Sequence, residues 1–163
     1  WQFAKAQFIA EKHGWTKFVS MQNHLNLLYR EEEREMIPFC EDQKIAITPY
    51  SPLASGRLTR DWTGDTKRSL TDQTSKMKYD QTMDQDRVIV ERVAQVAEEL
   101  DVKRAQVALA WLMQKEVVTV PIIGATKESH LLDALPAIDV TLTPEQVAFL
   151  EEPYLPHQVV GAR

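Results

Sequence analysis

The chain has 163 residues, 44% of them apolar and 26% charged, with a net charge of −5 at pH 7. That is enough for one domain with a sizeable core and an ordinary globular composition. The acidic balance gives no electrostatic basis for nucleic acid or an anionic membrane as partner, no apolar run approaches the ~18 residues of a membrane span, and no secretory leader pattern is present.

Residues 1–12 read as a helix with no N-cap signal, with Trp1, Ala4 and Phe8 on one face and Gly14 at its C-terminal stop. A helix without a start signal leads us to expect an upstream part. Residues 17–22 are short, apolar and β-prone, the pattern of a strand buried on both faces. Residues 30–36 open a charged helix whose apolar part is Met36, Ile37, Phe39 and Cys40, with Pro38 at a kink or in an early turn. Residues 44–50 read as a second strand, with Pro49 at its end, where a missing donor is tolerated. Residues 54–84 form a long polar stretch. A structureless loop of that length points to function or disorder.

Residues 84–100 give an amphipathic helix, with Ile89, Val93, Val96, Ala97 and Leu100 at helical spacing. Residues 103–114 give another. Residues 117–124 are the third strand, and residues 127–134 a helix opening directly after it. Thr143-Pro144-Glu145-Gln146 has the form of a capped helix start, with Thr143 as cap, Pro144 in the first turn and Gln146 closing a capping box. Buried strands alternating with helices argue for a parallel sheet.

Ligands of parallel α/β folds bind at the C-terminal ends of the strands. Gln22 stands at the first such end. Its amide donates and accepts at once, which suits another amide, and equally a polar residue closing a strand. Tyr50 to Arg57 stands at the second. The aromatic offers a flat face and the following turn offers N–H groups and hydroxyls to a phosphate, or it is an ordinary Pro/Gly turn. Gly124-Ala125-Thr126-Lys127 stands at the third. Gly124 allows close backbone approach, Thr126 caps the next helix and Lys127 adds a positive charge, or the segment is a plain strand-to-helix turn. Arg57, Arg60, Lys67 and Arg68 make the long stretch either a solvated loop or a cover over a phosphate.

Other constellations carry no chemistry. The single cysteine, Cys40, forms no intrachain disulfide and suits a reducing cytosol, so a cytoplasmic setting is expected. The four histidines have no ligand spacing to each other or to Cys40, so no metal is expected. His24 and Cys40 are not supported as a base and nucleophile. The Glu31-Glu32-Glu33 and Glu35 run, alternating with Arg30 and Arg34, reads as a solvated helix face.

Five segments taken in order resemble the aldo-keto reductase superfamily over essentially the whole chain. They are Phe18-Val19-Ser20-Met21-Gln22, the run from Ile47-Thr48-Pro49-Tyr50-Ser51 to Thr59, Ala105-Gln106-Val107-Ala108-Leu109-Ala110-Trp111-Leu112, Val120-Pro121-Ile122-Ile123-Gly124-Ala125-Thr126, and Thr141-Leu142-Thr143-Pro144-Glu145-Gln146. The branch is similar to bacterial reductases related to potassium-channel β-subunits and aryl-alcohol dehydrogenases. The resemblance implies an α/β fold, the C-terminal part of a (β/α)8 TIM barrel. On it, residues 1–163 are one partial barrel domain carrying strands six to eight with their helices and an extra C-terminal helix, and residues 54–84 are a long cofactor-covering loop.

It further implies that NADP(H) is the cofactor and that the whole protein reduces aldehydes or ketones to alcohols by hydride transfer. Gln22 matches the residue holding the carboxamide, and Tyr50 the aromatic stacked on the nicotinamide. Ser51, Leu53, Ser55 and Gly56 match the pyrophosphate turn, and Arg60 and Arg68 are assigned as phosphate clamps. Gly124, Thr126, Lys127, His130 and Asp133 match the adenosine end, with His130 where related sequences often have Gln and Ala134 where they often have Asn. The family's proton-donating Tyr, with its Lys, Asp and His, comes from the first half of the barrel. No catalytic residue is therefore assigned here, neither Tyr29 nor Tyr79, and this chain alone is expected to be inactive. The partners implied are a small carbonyl substrate and the missing half of the barrel, or a second copy. The alternative is a non-catalytic half-barrel serving as a binding or assembly module.

Overall fold

Three chain segments lie side by side, joined by parallel hydrogen bonding. In the computed structural model, which describes residues 1–64 and 70–160, strand β1 (Ser20–Met21) pairs with β2 (Ala46–Ile47), Ser20 opposite Ala46. The pairing runs on beyond them, where Tyr50 N–H donates to the Asn23 carbonyl at 2.9 Å and His24 bridges to Tyr50. The other edge of β2 takes the third segment, through parallel bridges of Ile47 with Val118 and Tyr50 with Ile122. There Thr119 N–H donates to the Ile47 carbonyl at 2.9 Å and Ile122 N–H to the Pro49 carbonyl at 2.8 Å. Parallel neighbours in chain order need the crossover connections that the intervening helices supply.

Regular pairing is shorter than the sequence pattern predicts, and the third segment pairs only through bridges. The expectation that residues 17–22 are buried on both faces is also corrected. Phe18 is 59% and Val19 78% exposed. Among the described residues nothing pairs with the outer edge of β1, so its apolar side chains stay uncovered. Val120 and Ile122, on the opposite edge, are exposed too.

Helix α1 (Gln2–Lys12) ends at Gly14 in a left-handed conformation (φ +67°). Trp15 N–H reaches the Ala10 carbonyl at 2.8 Å and Gly14 N–H the Glu11 carbonyl at 3.2 Å, the paired bonds of a Schellman motif. The predicted apolar face of Trp1 and Phe8 is exposed, and Gln7 and Ala10 are buried instead. The reason is polar: the Gln7 amide clamps the Phe18 backbone, accepting its N–H and donating to its carbonyl, both at 2.8 Å. Helix α2 (Met36–Asp42) follows a 3-10 turn at Glu31–Glu33 and carries Pro38 in its first turn.

The described residues between 54 and 84 are not structureless. They contain 3-10 segments Ala54–Thr59 and Asp80–Thr82 and helix α3 (Gln73–Tyr79). Asp72 caps α3, its Oδ1 accepting the Ser75 N–H at 2.9 Å. Helices α4 (Met83–Glu99) and α5 (Arg104–Met113) pack on each other, and Ile89, Val93 and Val96 of one share a core cluster with Val107, Ala108, Trp111 and Leu112 of the other. Then come α6 (Glu128–Ala134), a 3-10 segment Leu135–Asp139 and α7 (Pro144–Glu151). The predicted capping box is present: Gln146 N–H donates to Thr143 Oγ1 at 3.2 Å and Thr143 N–H to Gln146 Oε1 at 2.9 Å. One core cluster runs from Leu25 and Ile47 through Val93 to Trp111 and Leu150. Among the described residues, no helix is long and apolar enough to cross a membrane.

Candidate functional site

The chain leaves β2 through Tyr50 into a strained turn. Ser51 (φ 60°), Ala54 (48°), Ser55 (57°) and Gly56 (87°) all adopt left-handed backbone. Positive φ in non-glycine residues costs free energy, and such residues cluster where a turn must present its backbone to a ligand. Gly56→Ala should therefore destabilise by roughly 1–2 kcal/mol through the backbone alone, since an added Cβ meets nothing closer than Thr59 Oγ1 at 3.8 Å. Equilibrium urea denaturation reads that loss, and an unchanged midpoint would show that the turn relaxes without strain.

This turn walls a groove of about 980 Å³, the upper size of a cofactor pocket. Ser51, Leu53, Ser55, Gly56, Gly124, His130 and Asp133 all line it. Turn, third-segment end and α6 thus meet, although they lie some seventy residues apart in sequence.

The other sequence-assigned residues lie elsewhere. Gln22 is exposed at the end of β1 and Tyr50 is half-buried behind the turn, neither lining the groove. Thr126 and Lys127 are exposed and outside it, and Thr126 does not cap α6. That helix starts one residue later than the pattern suggests, with Lys127 at its N-cap and no side-chain cap bond. Arg60 lines an adjoining cavity of about 590 Å³ with Ser55 and Gly56, and its guanidinium donates to the Gly64 carbonyl at 3.1 Å. Arg68 lies outside the described residues.

The facing wall comes from the α4–α5 connection and was missed from sequence. Glu98, Asp101, Lys103 and Arg104 line it. Lys103 pairs with the Asp133 carboxylate, and Arg104 with Asp61 at 2.7 Å. That hydrogen bond and charge hold the Asp61 carboxyl below its ordinary range. Gln106 Nε2 donates to the Asp133 carbonyl at 2.9 Å, fixing α6 against α5. A local signal existed. Two cations at the start of a helix oppose its macrodipole, and such a local conflict marks a site with another purpose.

Behind the turn lies a buried polar cluster. His24 Nε2 and the Tyr79 hydroxyl are 2.7 Å apart, and Asn26 Nδ2 donates to the Ser51 carbonyl at 2.9 Å. Burial, then the Lys78 charge, push His24 down to about 3, so its ring is neutral. Burial pushes Tyr79 up to about 12. Cys40 is buried, with its thiol pushed up by burial, and shares no bond with His24. The Glu31 run is not simply solvated either: Glu31 is buried because its carboxylate takes bonds from Arg34, Tyr154 and the His157 backbone. Among the described residues, no group of three acidic, His or Cys side chains is placed to hold a metal.

The model of the aldo/keto reductase family matches residues 1–154. A Schizosaccharomyces pombe protein that carries an aryl-alcohol dehydrogenase name is 44% identical over 164 residues, covering 99% of this chain and 45% of that protein. Versiconal hemiacetal acetate reductase of Aspergillus parasiticus is 40% identical over 161 residues, covering 98% and 47%. An aldo-keto reductase of Fusarium vanettenii is 41% identical over 165 residues, covering 99% and 43%. The chain spans about half the length of the curated relatives it matches.

Proposed function

The chain belongs to the aldo/keto reductase family, and from that premise we propose that it supplies the NADP(H)-binding part of an oxidoreductase that reduces aldehydes or ketones to alcohols. The carrying observation is the groove at the C-terminal ends of the parallel segments, where the strained turn meets Gly124 and α6. In this reading the three segments are strands six to eight of a (β/α)8 barrel, α7 is the extra helix outside it, and residues 54–84 cover the cofactor. The exposed Phe18 and Val19 on one sheet edge and Val120 on the other support it, because a closed barrel would cover both edges.

The donor set fits a phosphorylated dinucleotide. Ser51, Ser55 and Thr59 bring hydroxyls, the left-handed turn brings backbone, and Lys103 and Arg104 bring positive charge. Gln22 would hold the carboxamide and Tyr50 the nicotinamide ring. Ser51 to Gly56 would hold the pyrophosphate, with Arg60 and Arg68 as clamps. Gly124, Thr126, Lys127, His130 and Asp133 would hold the adenosine end. Bound NADPH supplies the hydride. Lys103 and Arg104 would exchange their present carboxylate partners, Asp133 and Asp61, for the additional 2′-phosphate, with Lys127 adjacent in sequence to α6, and so favour NADP(H) over NAD(H). The resemblance assigns the proton donor to the first half of the barrel, and neither Tyr29 nor Tyr79 is recruited for it: both are buried, and Tyr79 spends its hydroxyl on His24 and Asn26.

NADPH should quench the protein's tryptophan fluorescence at lower concentration than NADH does, and Lys103→Glu should shrink that preference roughly tenfold. Equal affinity for the two dinucleotides would sink the NADP(H) assignment. Turnover of an aromatic aldehyde by these 163 residues alone would sink the placement of the proton donor. The second reading, a non-catalytic assembly module, draws on the same uncovered sheet edges. It requires concentration-dependent self-association without NADPH binding.

A further inference from the structure

We propose that His24 is a positioning residue for Tyr50: its ring forms the fixed support on which the Tyr50 ring rests. The inference builds on the reading of Tyr50 as the nicotinamide platform. His24 is 3% exposed, and its imidazole lies between two aromatic rings. Tyr29 stacks on it at 4.2 Å between centroids and 13° between planes, and Tyr50 at 5.0 Å and 16°. The backbone sets this alignment, because His24 and Tyr50 are bridge partners on neighbouring parallel strands. Side chains at paired positions project on the same side of a sheet, so the two rings are brought face to face.

The support is tied down at its edge. His24 Nε2 is 2.7 Å from the Tyr79 hydroxyl and 3.2 Å from Asn26 Nδ2. The same Asn26 nitrogen also donates to the Tyr79 hydroxyl at 3.1 Å and to the Ser51 carbonyl at 2.9 Å. Its two protons go to those oxygens, so one amide holds the first residue of the groove turn, which directly follows Tyr50, and reaches the histidine through the Tyr79 hydroxyl. Tyr79 comes from α3, so the cluster also anchors the long stretch. A neutral ring suits the position, because a charged one would be buried without a carboxylate beside it. The Tyr50 hydroxyl has its own tether, accepting from Lys78 Nζ at 3.1 Å, which leaves His24 to fix the plane of the ring.

Two substitutions separate the ring from the bond. His24→Phe keeps a flat ring and loses the Tyr79 contact; His24→Asn keeps a polar contact and loses the ring. Affinities are measured in the protein for NADPH and for 2′,5′-ADP, which reaches only the adenosine end. His24→Phe should hold NADPH within about twofold of the parent, while His24→Asn should weaken it roughly 3- to 10-fold, the worth of an aromatic pair. Both should leave 2′,5′-ADP unchanged. If His24→Asn does not fold, His24→Gln takes its place. Equal loss with Phe and Asn, no loss with either, or a parallel loss of both ligands overturns the positioning role alone. A parent protein that binds 2′,5′-ADP but not NADPH overturns the platform reading of Tyr50, and this inference with it.

Discussion

Trp111→Ala should lower the stability of the protein by roughly 3–5 kcal/mol, the range for removing a large buried ring. Trp111 is 1% exposed at the centre of the core cluster. Its indole does more than fill space. Nε1 donates to Glu151 Oε1 at 2.8 Å, Lys115 Nζ lies 4.4 Å from the ring, and the Arg30 guanidinium 5.7 Å from it. Those two cations also pair with Glu151 and Glu33, at 2.7 to 3.1 Å. The ring is thus the spacer of a four-charge network that joins the Glu31–Glu33 turn to α5 and α7. Burial works against the Glu151 carboxylate, but the charges of Lys115 and Arg30 and the bond from Trp111 outweigh it and hold its pKa below the ordinary value. Trp111→Phe keeps most of the volume and loses the indole bond, so it should cost roughly 1–3 kcal/mol. Urea denaturation of the two variants separates the terms, and equal losses would contradict a packing origin.

The features readable in the sequence were those fixed by local backbone chemistry. The Thr143 capping box, the Gly14 stop and the periodic helix α4 needed only neighbours in sequence. What was misread depended on which surface meets which. Phe18 and Val19 have a buried-strand pattern and are exposed, because an apolar pattern records what a strand can cover and not what is there to cover it. Residues 54–84 read as a loop because they lack a 3.6-residue apolar period, yet Asp72 and Ser75 carried a cap signal for α3. For the groove, the resemblance named the strand ends that line it. It could not name Lys103 and Arg104, which reach the groove only because α5 packs beside α6. His24 was set aside as a failed partner for Cys40. Its stacking partners lie five and twenty-six residues away: a local turn returns Tyr29 to it, and only the sheet register brings Tyr50.

His157→Leu should cost roughly 3–5 kcal/mol near neutral pH, because it strands a buried carboxylate. The side chains of His157 and Asp86 are 2% and 1% exposed and meet at 2.9 Å. Among the described residues, Asp86 would keep only the Thr82 hydroxyl, at 2.6 Å. The histidine also orders the C-terminal segment: it stacks on Tyr154 at 5.1 Å, and its backbone N–H donates to Glu31 at 2.8 Å. Burial opposes its charge, but the bond and charge of Asp86, then the Leu155 backbone and Glu31, outweigh it and raise its pKa above the ordinary 6.5. A group whose folded-state pKa is raised contributes stability that is fully present below its unfolded value and is lost as pH rises through the folded one. The urea midpoint should therefore fall as pH rises from below 6.5 through the raised folded-state pKa of this group. Asp86→Asn removes the main force holding the proton and leaves burial, which works the other way. Its midpoint should be lower at about pH 6 and nearly flat across the same window. A slope that survives Asp86→Asn would assign the pH dependence to another group and leave this pair a structural contact only.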